Sequence, residues 1–77
     1  MKLNIVHEQP QSVGSFVECL ELRCVPDRCF TSVDAYNSIK VSGIIIVLKY
    51  YKGIVLILTP AGDQCWTWTN DLIDSII

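Results

Sequence analysis

Seventy-seven residues make one small domain, 1–77, whose single core rarely supplies more than about 3–5 kcal/mol without a metal, a disulfide, a partner or a second copy. Hydrophobic residues make up 51% of the chain and charged ones 18%, against about 25% charged in an average domain; this excludes disorder and leaves apolar surface for another protein. Net charge is −2, and the cations (Lys2, Arg23, Arg28, Lys40, Lys49, Lys52) form no run, so no direct nucleic-acid binding is expected and a mildly acidic surface would suit a basic partner.

The opening residues, MKLNIVHEQP, lack the apolar stretch of a secretory signal, so a cytoplasmic protein with reduced cysteines is expected. Lys2–Glu8 reads as a first strand, with Leu3, Ile5 and His7 on one side, and Pro10 marks a loop. Val13–Val25 reads as the next strand. Strict alternation puts Leu20, Leu22 and Cys24 on one face and Glu21, Arg23 and Val25 on the other, before a turn at Pro26-Asp27.

Phe30–Lys40 admits two readings. Ser32 can cap a short helix carrying Val33, Tyr36 and Ile39, or a strand can run from Tyr36 into a break at Ser42-Gly43; the β-branched and aromatic content favours the strand. Ile44–Tyr50 and Gly53–Thr59 are two β-branched runs apolar on both faces, joined as a hairpin in which Gly53 supplies a left-handed residue. Taken whole, Ile44–Thr59 is shorter than the roughly 20 residues of a spanning helix and holds Lys49 and Lys52 at its centre, so no membrane span is expected. Pro60-Ala61-Gly62-Asp63 is a second turn. In Gln64–Thr69, Trp66 and Trp68 then share one strand face while Cys65, Thr67 and Thr69 share the other. Asn70 caps a short helix over Asp71–Ile77.

The expected fold is mostly β: a five- to six-stranded antiparallel meander or small SH3-like barrel with a short C-terminal helix. A helix near 32–40 would make it α+β instead. From Ala35 to Leu72 the order Tyr36-x-x-Ile39, hairpin, Gly62-Asp63 turn and Trp68-Thr69-Asn70-Asp71-Leu72 resembles small phage and bacterial SH3-like barrel proteins. The resemblance implies an adaptor or inhibitor that acts by binding, and it carries no functional residue across.

Four cysteines are the one metal candidate. Cys19, Cys24 and Cys29, spaced C-x4-C-x4-C, could join Cys65 around zinc, but Cys19 and Cys24, five apart in a strand, are expected on opposite faces. The plainer reading is a set of small buried hydrophobes with no cofactor. His7 could pair with any of four thiols for nucleophilic catalysis, which singles out none, and no phosphate-cradling loop or carboxylate pair is present, so no catalytic residue and no enzyme are expected.

The aromatics give the binding candidates. Tyr50, Tyr51 and Lys52 stand at a hairpin tip, and Trp68 accompanies Trp66, which is read as roofing the core. The expected function is a non-enzymatic protein-binding module, such as a phage- or mobile-element-encoded inhibitor blocking a host defence protein. The alternatives are a homo-oligomeric structural protein built on the apolar hairpin, and a small zinc-stabilised domain. The partner is accordingly another protein, or a second copy in a homodimer.

Overall fold

The computed structural model describes residues 11–30 and 38–77, with residue 29 described by its backbone alone. The first expected strand, Lys2–Glu8, with His7, and most of the 30–40 segment lie outside the described residues. Among the described residues there are four strands: β1 (Phe16–Pro26), β2 (Ile39–Tyr51), β3 (Ile54–Leu58) and β4 (Gln64–Trp68). Each is antiparallel to its neighbours, and the order β1-β2-β3-β4 closes into a barrel. A 3-10 turn (Asp27–Cys29) follows β1, and helix α1 (Thr69–Ser75) follows β4. This architecture is compatible with an SH3-like barrel.

Among the described residues four strands stand; one of the five or six expected, Lys2–Glu8, falls outside them, and two others are merged because Ser42-Gly43 does not end a strand. Gly43 adopts φ +120, and a Cβ there would lie 3.0 Å from Pro60 Cγ, so glycine lets one 13-residue strand bend where a break was expected. Opposite the bend, β1 carries a bulge. Cys19 registers with Gly43 and Leu22 with Val41, so Leu20 and Glu21 together face Ser42. Glu21 takes φ 53, and its backbone N–H donates to Ser42 Oγ at 3.0 Å.

The extra residue shifts the alternation by one. Val17 and Cys19 point inward before the bulge, Leu22 and Cys24 after it, and Leu20 is turned out. The expectation that Cys19 and Cys24 occupy opposite faces is therefore corrected: both are in the core. The bent β1 also reaches two neighbours. It pairs with β2 from Phe16 to Cys24, and its end closes the barrel on β4 through Val25↔Trp66 and Pro26↔Cys65.

The hairpin turns on two residues, Lys52 (φ 46) and Gly53 (φ 85), both left-handed as a tight strand connection with right-handed twist requires. Val55, Leu56 and Ile57 of β3 are all buried, so that strand is covered on both faces. β2 buries Ile45 and Val47 but leaves its outer residues partly open. The turn after β3 is held by Thr59, whose backbone N–H donates to Asp63 O (2.8 Å) and whose Oγ1 accepts from Asp63 N–H (3.1 Å).

The core is Val17, Cys19, Leu22, Cys24, Ile45, Val47, Val55, Ile57, Cys65 and Leu72. Burying each aliphatic side chain of this kind contributes about 1.5–3 kcal/mol. Helix α1 starts earlier than expected: Trp68 is its N-cap, without a side-chain cap bond, and Asn70 lies inside the first turn instead of capping it. Leu72 from this helix fills the barrel interior. The chain then reaches the free edge of β1, where Ile76 bridges Cys19 and the Ile77 N–H donates to Glu18 O at 3.1 Å. No helix among the described residues is long and apolar enough to cross a membrane.

Candidate functional site

The alternation in β4 sorts its side chains as expected, with Cys65 and Thr67 on one face and Trp66 and Trp68 on the other. Cys65 and Thr67 point into the barrel, and Thr67 Oγ1 donates to Arg23 O at 2.7 Å. Trp66 and Trp68 stand on the outer side of the sheet, apart from the interior cluster. Cross-strand register builds an outer face from two rows, Tyr51–Ile54–Trp68 and Lys49–Leu56–Trp66–Val25.

Trp66 is nevertheless 9% exposed, because other side chains cover it. Its indole N–H donates to Asp27 Oδ1 at 2.6 Å, the Phe30 ring lies 5.5 Å away at an interplanar angle of 36°, and Lys49 Nζ sits 5.9 Å from its ring centroid. The turn at Pro26-Asp27 thus places both an acceptor and an aromatic cover over the tryptophan. Beside this cluster lies a mainly apolar groove of about 380 Å³ lined by Phe30, Lys49, Tyr51, Ile54 and Trp66.

The sequence-derived binding residues separate. Tyr51 (56% exposed) lines the groove. Lys52 at the turn holds its ammonium 5.5 Å from the Tyr51 ring centroid, and Trp68 is exposed on the same face. Tyr50 points the other way, packs against the core and donates its hydroxyl proton to Gln11 O. Phe30, Lys49, Ile54 and Trp66 complete the groove and were missed as site residues. Period-2 alternation could have linked Lys49, Tyr51, Ile54, Trp66 and Trp68 to one face, but no local pattern joins Phe30 to it.

Three of the four candidate zinc ligands are core residues, and the side chain of the fourth, Cys29, lies outside what the structure describes. Cys19, Cys24 and Cys65 are free and buried. The Cys24 thiol donates to the Cys65 sulfur; burial, then the neighbouring Cys65, pushes the Cys24 thiol up to about 12. Burial also raises the Cys19 and Cys65 thiols. These are protonated, poorly nucleophilic groups at neutral pH. Among the described residues no three His, Cys, Asp or Glu side chains converge as a metal site would require.

A second apolar surface lies elsewhere on the outside of the barrel. Phe16, Ile46 and Leu58 form one cross-strand row, with Ile44 beside them opposite Glu18; Phe16 is 73% and Ile44 54% exposed. A third feature is a small cleft lined by Glu21, Arg23, Asp71, Asp74 and Ser75.

No known protein family matches the chain, and no similar curated protein or solved structure is found.

Proposed function

We propose that this domain is a non-enzymatic protein-binding module that engages its partner through the outer aromatic face of β2, β3 and β4. The observation that carries this reading is the groove between Tyr51, Ile54 and the covered Trp66. It is a mainly apolar recess, built on strands apart from Phe30 and edged by exposed aromatics, which is how binding anchors are commonly presented. An inhibitor of a host protein, the role that a likeness to phage SH3-like barrels implies, would need no more than such a surface. Affinity capture with wild type and with the Tyr51→Ala/Ile54→Asp variant tests it. A stoichiometric partner held by wild type and lost by a variant of unchanged circular dichroism is expected; identical recovery by both proteins sinks the reading.

The row Phe16–Ile46–Leu58 with Ile44 supports a second reading, a homodimer formed through that face. Native mass spectrometry of the reduced protein tests it. A dimer that Ile44→Lys converts to monomer is expected, and a monomeric wild type at high micromolar concentration rejects it.

A further inference from the structure

The groove differs from the molecule as a whole in its charge. The chain is net negative, yet among the described residues the one charged group lining the groove is Lys49, over Trp66, and Lys52 stands beside the groove over the Tyr51 ring. Among the described residues neither ammonium has a carboxylate within 4.0 Å, whereas Lys40 meets Glu21 at 4.0 Å. Asp27 keeps its negative charge but is held on the indole N–H and does not line the groove. Glu21, Asp71 and Asp74 are gathered with Arg23 in a separate cleft.

From this arrangement we infer that the groove takes an apolar or aromatic side chain presented by an acidic polypeptide segment. The inference rests on the protein-binding reading and specifies its partner. An apolar side chain would fill the recess against Ile54, Tyr51 and Phe30. Flanking carboxylates would meet Lys49 and Lys52, whose positions on ring faces hold their charge beside the groove. The net charge alone pointed to a basic partner; the local charge reverses that sign. A nucleic-acid strand also carries negative charge and stackable rings, but two lysines offer too few phosphate contacts for a polyanion ligand.

Intrinsic tryptophan emission reads the site directly, because Trp66 lines it. The probe is the capped hexapeptide Glu-Asp-Leu-Phe-Asp-Glu at low ionic strength. It is compared with Lys-Lys-Leu-Phe-Lys-Lys, with Glu-Asp-Ala-Ala-Asp-Glu and with a ten-nucleotide oligothymidylate. A saturable change with the first peptide is expected, weaker by about fivefold or more with each comparison ligand. Lys49→Gln/Lys52→Gln should weaken the first peptide by about three- to tenfold, the range two partly exposed ion pairs supply, and raised salt should act likewise.

Equal or tighter binding of the basic peptide or of oligothymidylate overturns the inference, as does no saturable change with the acidic peptide. Equal binding of the alanine peptide overturns the apolar half of it. If any of these occurs while Tyr51→Ala/Ile54→Asp still loses a captured partner, the partner chemistry is wrong and the protein-binding reading stands.

Discussion

Asp27 and Trp66 are 39 residues apart in sequence and joined at 2.6 Å across the seam where β1 meets β4. The bond satisfies the only polar atom of a nearly buried indole and fixes the ring that forms one wall of the groove. The closing strand pair is short, with Val25↔Trp66 and Pro26↔Cys65 in register, so a side-chain bond at its end adds to both barrel closure and site geometry.

Removing the acceptor should therefore cost stability and disturb the face together. Asp27→Ala leaves the indole N–H unsatisfied and is expected to lower unfolding free energy by about 1–3 kcal/mol in urea denaturation. Asp27→Asn, which keeps an acceptor oxygen, should restore most of the loss and the native tryptophan emission.

Gly43 sits at the bend of β2 with φ +120, and the Pro60 ring occupies the space a Cβ would need. Gly43→Ala should destabilise by about 1–3 kcal/mol from backbone strain and crowding combined. Adding Pro60→Ala relieves only the crowding, so thermal denaturation of the double variant should recover part of the loss.

The buried thiols predict an alkaline limit to stability. Their folded pKa values are raised, Cys24 to about 12, while an unfolded thiol ionises near 8.5. The unfolded chain gives up these protons first, so their contribution is complete below about pH 8.5 and is lost as pH rises toward 12. The unfolding free energy from urea titrations should fall over that window, by at most about 1.4 kcal/mol per pH unit for each thiol. Cys24→Ala should flatten the slope whatever it does to absolute stability.

Two isoleucines of the hairpin separate surface from core. Ile57 is fully buried, so Ile57→Glu places an unpaired carboxylate in the barrel and should abolish cooperative unfolding. Ile44 is about half exposed, so Ile44→Lys should fold with a stability change within about 0.5 kcal/mol, read by the same melt, and act only on self-association.

Sequence by itself determined the local elements: the Gly53 hairpin, the Pro60–Asp63 turn, the alternation of Gln64–Trp68 and a short C-terminal helix, each set by neighbouring residues and backbone preferences. It also marked Tyr51, Lys52 and Trp68 as exposed aromatic and charged groups beside the hairpin.

Which face of each strand is inside was decided only by the tertiary structure. The bulge at Leu20-Glu21 is a property of β1 paired with a bent β2. It turns Leu20 out and brings Cys24 into the interior beside Cys65, against a strict period of two. Barrel closure likewise set Cys65 and Thr67 inside and left Trp66 to be covered by Asp27, Phe30 and Lys49 from other elements. The groove exists because residues distant in sequence converge where the closed sheet presents its outer face, and local alternation holds no information about which of two faces will close around the core.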